Sequence, residues 1–554
     1  MDSGVTKFKM KKITLLGGTT ILLTFIILYF MHPTIAYGFN AWSMGLTCII
    51  IVLMIFESGF SRNKLANKQI SKFNIAGSVA VLLLLLYTFV LPLITSTAVL
   101  RSSAYRDLIG EVKMGDDFTE QVAPISTEEI RIVDQLTANR LGDKVLGSIP
   151  SLGSQAFLGE FSIQNVKGEL FWVAPLLHSG FFKWNNNKEG TPGYVMVSAS
   201  NERDVRLVQD VNGKPVRIKY QPGAFFNSDL SRHIYFNGYM TKGYTDYSFE
   251  IDDEGKPYWI ITLFDRSIGF AGEDATGVIV VDVETGDIKE YGIKDAPKWI
   301  DRIQPETFIT KQLDDWGEYV HGYFNFSNEN KLTTTRGISL VYGSDDRSYW
   351  YTGLTSVGSD EGTVGFVLVD TRTKETVWYK QVGATEQAAR LSAMGKVQEK
   401  RYVASFPITY NITGIPTYVM SLKDNAGLIK MIAMVSVEDY TIVGVGNNIK
   451  EALRAYKNSL NSKGNSISTG SFNEAQTINA LVERISNDIR NGNTNYYMML
   501  EGHPHKLFVG SSLVSGELPI TQKGDSVMVK FDENATEIID IVSFDNLNVD
   551  LKKD

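Results

Sequence analysis

Few residue combinations in this 554-residue chain could do chemistry. It has six histidines: His32, His178, His233, His321, His503 and His505. None stands in an H-E-x-x-H arrangement, which would put two zinc ligands and a general base on one helix face. His503 and His505 are the one close pair. Two imidazoles at that spacing could share a metal, but Gly502 and Pro504 place them on a turn and no third ligand accompanies them. His178, near Phe181, Phe182 and Trp184, has the setting of a packed core imidazole. No G-x-S-x-G elbow, P-loop or Rossmann glycine fingerprint occurs. The single cysteine, Cys48, rules out an intramolecular disulfide and a cysteine zinc cluster.

Acidic clusters are what remain. Asp252–Glu254, Asp314 with Asp315, Asp345 with Asp346, and Asp532 with Glu533 could be paired carboxylates or calcium ligands. None has the spacing of an EF-hand loop. Asp252, Asp253 and Gly255 lie between strand-like runs and fit a turn. Glycosidase carboxylates can come from anywhere in a chain, so a hydrolase remains an open alternative. On this reading no catalytic, cofactor-binding or metal-binding residue is assigned, and no cofactor is expected.

The elements around these residues begin with three apolar runs, Ile13–Met31, Phe39–Phe56 and Ile75–Ile94. Each is close to the ~20 residues a helix needs to cross a bilayer. Lys7, Lys9, Lys11 and Lys12 precede the first run, and Arg62, Lys64, Lys68 and Lys72 lie between the second and third. The connection around His32–Tyr37 has no basic charge other than the histidine. The positive-inside rule therefore predicts a cytoplasmic N-terminus and an extracytoplasmic remainder. Arg101 and Arg106 argue weakly the other way, beside Asp107 and Glu111. Residues 1–100 carry 8 basic and 2 acidic side chains, net +6, whereas the remainder carries 46 and 60, net −14. The 454 residues beyond position 100 contain no cysteine, which suits export. Overall composition is 44% hydrophobic and 21% charged, which excludes a disordered chain.

Beyond residue 100 the pattern predicts α+β structure. Ser126–Glu129 has the form of a capping box, predicting a helix over 127–141 that stops at Gly142. Glu160–Gln164 and Glu169–Ala174 read as a hairpin turning at Asn165–Gly168. A loose repeat follows. Pro192–Met196 is echoed by Pro416–Met420, and Pro257–Ile260 by Ser348–Tyr351. After the last three come apolar strands Val278–Asp282, Phe366–Asp370 and Ile432–Ser436, the first two running on through Glu284–Ile288 and Arg372–Thr376. Helical stretches Thr307–Val320, Glu386–Lys396 and Ile449–Leu460 lie between. This rhythm, over roughly 190–460, resembles PepSY-type repeats. The resemblance implies small units of one helix on an antiparallel sheet, in an exported protein with a regulatory or protease-modulating role.

A polar linker spans 461–476. Five short strands follow, at Ile478–Ile485, Tyr496–Leu500, Lys506–Val509, Ser526–Phe531 and Glu537–Ser543, and resemble an OB-like barrel. Residues 465–554 carry 7 basic and 13 acidic side chains, which opposes a phosphate backbone. Tyr496 and Tyr497 could stack bases but fit cross-strand pairing better. Nucleic acid is not expected as a partner.

The expected organisation is a three-span anchor at 1–100 and a membrane-proximal α+β region at 101–190. Two repeat regions at 191–330 and 331–460, the linker, and the OB-like barrel at 477–550 complete it. The expected protein is a non-enzymatic, multi-pass bacterial membrane protein. Its large extracytoplasmic part would bind envelope proteins or peptides, act as a scaffold, or regulate. The rivals are an envelope hydrolase and a membrane subunit of a secretion or conjugation apparatus. Oligomeric state is left open.

Overall fold

The computed structural model describes residues 2–60, 71–115, 118, 129–335, 337–343, 347–357, 362–412, 414–462, 476–490, 493–512, 514–531 and 538–549. The fold is α+β, with many antiparallel sheets following three long N-terminal helices. Two compact units divide it. One comprises Met1–Met114, Val133–Ser359 and Phe366–Trp378; the other comprises Gly115–Ile132, Asp360–Gly365 and Tyr379–Asp554.

In the first unit, α1 (Asp2–Met31), α2 (Ala41–Phe60) and α3 (Lys72–Thr95) each contain a stretch long and apolar enough to cross a membrane. The third is not a uniform α-helix. Leu86–Val90 forms a π-turn just before Pro92. Proline has no N–H, so the carbonyl of Thr88 loses its helical donor. The Asn40 side-chain amide donates to that carbonyl at 3.4 Å, and the Ser43 and Thr88 hydroxyls bond each other at 2.9 Å. Small polar residues thus join α2 to α3 where the helix is irregular.

The first sheet of this unit runs from edge strands Ala156–Leu158 and Ser162–Val166 through Glu169–His178 and Tyr194–Ser198 to Val205–Val208. The second has the order Ile288–Gly292, Ala271–Asp282, Pro257–Ile268, Gly243–Ile251. Their apolar faces share one core, in which Phe171, Val173 and Tyr194 meet Phe249, Trp259 and Ile279. A third sheet contains Gly365–Asp370 and Ser348–Ser356, with Leu332–Thr334 and Ser339–Tyr342 paired antiparallel to the latter.

The long helices meet the second sheet at one junction. Ile35 N–H donates to the Met240 carbonyl, and Arg266 donates to the Gly38 carbonyl at 2.7 Å. Phe39 packs on Phe264, and the Phe270 amide donates to the Ser96 hydroxyl at the end of α3. Gly38 and Gly269 both have positive φ, 86° and 64°. A Cβ on Gly38 would lie 2.7 Å from the Gly269 carbonyl oxygen, and one on Gly269 would lie 2.5 Å from Thr95 Oγ1. Only glycine fits at either place.

The second unit contains a sheet of edge strands Val403–Ala404 and Ile408–Ile412, then Ile415–Lys423, Ile429–Ser436 and Val443–Gly446. Helix Ile449–Ser462 lies so close to the last strand that a Cβ on Gly444 would stand 2.2 Å from the Tyr456 nitrogen. The chain ends in a closed five-stranded barrel of Gln476–Arg490, Asn493–Leu500, Leu507–Ser511, Ile538–Asn546 and Ser526–Phe531, in that order around the wall. Leu507–Ser511 and Ile538–Asn546 pair in parallel. Phe508, Phe531, Met498 and Val529 fill the interior. The connection after the third strand is pinned by buried Asn546. Its N–H donates to Glu517 at 2.7 Å, and its amide donates to Thr521 and Asp525.

One expected helix is displaced. Ser126 and most of its capping box lie outside the described residues, and the helix is Gln135–Gly147 rather than 127–141. Asp134 caps it, accepting from the Thr137 N–H. Gly142 does not end it. It lies inside, where a Cβ would meet Leu158 and Phe161 at 2.9 Å. Ile130 and Val133, which fit a helical stripe, are instead buried in non-helical chain.

Replacing Gly269 by Ala adds both a strained φ and an overlap with Thr95. Chemical unfolding of the purified chain in detergent should show a loss of about 2–4 kcal/mol. Gly147→Ala, with nothing within 4 Å, should change stability by less than about 1 kcal/mol.

Candidate functional site

The repeat noticed in the sequence has a common construction. In the second sheet, Asp282 ends one strand. Its Oδ1 accepts the N–H groups of Glu284 and Thr285, both at 2.9 Å, and its Oδ2 takes Lys256 at 2.5 Å. In the third sheet, Asp370 does the same. Its Oδ1 accepts from Arg372 and Thr373, and its Oδ2 takes Arg347. Lys256 and Arg347 each stand two residues before a Tyr-Trp pair, and each cation lies over that tyrosine, at 5.2 and 5.4 Å from the ring centres of Tyr258 and Tyr349. Each tryptophan donates to a loop carbonyl, Trp259 to Tyr220 and Trp350 to Gln304. The second unit's sheet keeps the frame and drops the charge. Tyr418 donates to the Ala384 carbonyl, and Ser436 stands where the aspartates stand, accepting from the Asp439 N–H.

The Asp370 carboxyl is nearly fully buried. Burial works to raise its pKa, but the Thr373 N–H, the Arg347 guanidinium and the Arg372 N–H together hold it below the ordinary carboxylate value. Asp282 is held low in the same way, by Lys256 and the N–H groups of Thr285 and Glu284 against the effect of burial. These aspartates are anionic braces for turns. A carboxylate so held is a poor proton donor at neutral pH.

A second cluster lies between the first three sheets. Glu250 is almost wholly buried, and its Oε1 accepts the Ser248 hydroxyl at 2.8 Å. Burial pushes its pKa up, opposed by the Arg302 charge. Burial would also lower the Arg302 pKa, but Asp246, Glu250, Tyr342 and Asp301 around it raise it instead. Asp301 accepts from the Asn165 N–H at 2.7 Å and the Tyr342 hydroxyl at 3.0 Å. Gln164 and Ser162 both donate to the Phe249 carbonyl. Hydrogen bonds thus run from the Asn165–Gly168 hairpin to the loop before helix Glu306–Glu318 and on to strand Ser339–Tyr342. This cluster was not legible in the sequence, because its members are scattered from 162 to 342 with no motif.

The residues singled out by type are not brought together. Asp252 accepts from the Glu254 and Lys256 N–H groups and closes a turn, as its sequence setting suggests. Asp314 accepts three bonds from Thr333 and Thr334, and Asp315 pairs with Lys311 at 3.1 Å. Asp345, Asp346, Asp532 and Glu533 lie outside the described residues. His178 is buried, and desolvation lowers its pKa. His233 faces the Gly286 carbonyl at 2.7 Å and packs on Tyr220. His503 packs its ring on Phe508, and His505 is exposed. Tyr496 is in the barrel core and Tyr497 is half-buried. Among the described residues, no group of three or more His, Cys, Asp or Glu side chains is placed to hold a metal.

No family model and no curated protein matches the chain. Solved structures give only distant likenesses. A GH32 beta-fructofuranosidase from Bombyx mori is 9% identical over 74% of this chain and 70% of its own, with a TM-score of 0.17. A putative hydrolase from Bacteroides ovatus is 11% identical over 70% and 90%, at 0.18. A levansucrase from Bacillus subtilis is 9% identical over 81% and 95%, at 0.16. Scores this low carry no argument about this chain's fold or function.

Replacing Asp370 by Ala should cost about 2 kcal/mol or more, since two turn N–H groups and Arg347 lose their acceptor. Asp370→Asn should recover part of the loss, because an amide oxygen still accepts. The lowered pKa sets the pH dependence. The wild-type stability advantage over Asp370→Asn should be full above about pH 4, where the unfolded carboxyl ionises, and should fade as acid protonates the folded one. Denaturant unfolding across that range, read by tryptophan fluorescence, measures both effects.

Proposed function

We propose that this is a bacterial membrane protein in which α1–α3 cross the bilayer with the N-terminus in the cytoplasm. On this reading the residues beyond 100 form an extracytoplasmic scaffold that binds envelope proteins or peptides without catalysing a reaction. The observation that carries the reading is the junction. Both the α1–α2 connection and the end of α3 are bonded to the second sheet and its turns, through Arg266 on a strand, Met240 just before the first strand and Phe270 in the turn between two strands. The basic clusters at Lys7–Lys12 and Arg62–Lys72 belong to the opposite helix ends. Positive charge favours the cytoplasmic side, so the sheets fall outside.

A binding role fits how the acidic residues are used. The repeated aspartates brace turns, and the raised-pKa carboxyl of Glu250 is buried within the field of the Arg302 charge rather than open to a substrate. Helices Glu306–Glu318, Glu386–Gly395 and Ile449–Ser462, interleaved with antiparallel strands, are what support a PepSY-like reading. The barrel's strand order, with its parallel closing pair, agrees with an OB-like fold. Its acidic balance favours a protein or peptide partner over nucleic acid. The hydroxyls of Ser43 and Thr88 are satisfied within the helix bundle, which favours a self-packed anchor over a subunit that uses them to grip a neighbour.

Protease added to intact cells from which any outer layer has been stripped should digest the chain beyond residue 100 and leave a protected fragment containing α1–α3. Survival of the large part until the membrane is broken would reverse the orientation. Cross-linking in such cells should then yield discrete adducts with envelope proteins; a chain that forms no adduct would contradict the scaffold role.

A further inference from the structure

Two clusters of aromatic side chains stand exposed beside the ends of α1 and α3. The first is carried by the short helix Phe181–Asn186 and by Phe225 and Phe226. Phe181 lies 5.1 Å from Phe225, and Trp184 lies 5.6 Å from Phe226. Phe182 is 79% exposed and Phe226 57%. The cluster is continuous with α1. Arg232 donates to the Phe226 carbonyl and to the Tyr29 carbonyl, and its guanidinium lies 4.1 Å from the Tyr29 ring centre. Tyr29 also meets Phe236, itself exposed, and beside it Phe30 and Met31 end the helix uncovered.

The second cluster follows helix Glu306–Glu318. Phe324 is 67% exposed and Phe326 78%, with rings 5.9 Å apart. It adjoins the segment that leaves α3. Tyr319 packs on Tyr105, whose hydroxyl donates to the Ser96 carbonyl, and a Cβ on Gly322 would lie 3.9 Å from Ser102 Oγ. In the same segment Val99 and Leu100 are exposed.

A soluble surface rarely leaves rings this open in groups, and such patches mark a surface that meets something apolar. Here the neighbour is identified by continuity. Each cluster is linked, the first through Arg232 and the second through the Tyr319–Tyr105 pair, to the end of a helix that, on the reading above, leaves the bilayer at that point. Aromatic rings favour this boundary, where an apolar body sits at the headgroup level. Lys183 and Lys188 stand exposed in the first cluster, with Lys188 over the Trp184 ring, placed for anionic headgroups.

We propose that the rings of Phe181, Phe182 and Phe226 on one side, and of Phe324 and Phe326 on the other, enter the lipid–water interface of the membrane that α1–α3 cross. The sheeted region then rests on the bilayer at two points and does not swing from a tether. This inference rests on the anchored reading.

The test uses spin labels on the full chain in nanodiscs of phosphatidylcholine and phosphatidylglycerol, in a Cys48→Ser background. Single labels are introduced by Phe182→Cys, Phe326→Cys, Leu83→Cys and Glu254→Cys. Leu83 lies in mid-α3 and is 61% exposed. Glu254 lies in the turn at the far end of strand Pro257–Ile268, about 25 Å from the contact of Phe264 with Phe39. Collision rates with oxygen, which enters lipid, and with a nickel chelate, which stays in water, are compared. The oxygen-to-nickel ratio at positions 182 and 326 should exceed that at 254 by about fivefold or more and approach that at 83. A high ratio at 83 with a ratio at 182 or 326 equal to that at 254 overturns this inference alone. A ratio at 83 as low as that at 254 overturns the anchored reading beneath it.

Discussion

Three stretches of chain converge where the long helices meet the second sheet, and the rest of the first unit depends on their fit. The α1–α2 connection brings Gly38, α3 brings Thr95 and Ser96, and the turn between two long strands brings Gly269 and Phe270. Backbone oxygens and hydroxyls there lie where a Cβ on either glycine would have to be. The close approach lets Arg266 reach the Gly38 carbonyl and lets the Phe270 amide reach Ser96. Each hydrogen bond contributes only about 1 kcal/mol net. Their larger effect is geometric: two helix ends are tied to the turn end of the sheet's two central strands, so the sheet's direction follows from that of the helices.

From that junction the architecture extends by repetition. The second and third sheets each place a tyrosine and a tryptophan on one strand, a cation just before it, and an aspartate at the end of another. The aspartate gathers two N–H groups of the next turn and the cation in a single bonded set. A turn so held fixes where the following strand begins, and therefore the register of its pairing. The sheet of the second unit manages with Ser436 in place of the aspartate, which shows that strand pairing and the aromatic-to-carbonyl bond carry the frame while the charge adds to it.

Legibility followed the range of the interaction that decides each feature. The apolar helices, the Asn165–Gly168 hairpin, the later helices and the five barrel strands are set by local periodicity and turn residues, and all stood in the sequence. The positive φ of Lys167 and Gly168 is the kind of signal a single chain carries plainly. The helix expected at 127–141 begins only at Gln135, because Ile130 and Val133 are buried for reasons outside their own stretch, and a non-helical chain can bury them as well as a helix can. The repeat was visible as a rhythm of residue types, but its cation was not, since Lys256 and Arg347 look like ordinary surface charges until the aspartate is placed beside them. The Glu250–Arg302 cluster depends wholly on tertiary contact between distant segments and left no trace in the spacing.

Amide hydrogen exchange at the junction tests the account most directly, because it reports on the tie itself in the intact protein. The amides of Ile35 and Phe270 belong to a connection and a turn, where exchange is ordinarily fast, yet both are bonded, to Met240 and to Ser96. Exchange of the full chain in nanodiscs should show both protected to the level of the neighbouring strand Pro257–Ile268, and Gly269→Ala should release them together. Exchange of these two amides at the rate of a free loop, with the strand still protected, would contradict the claim that the sheet is fixed to the helix ends.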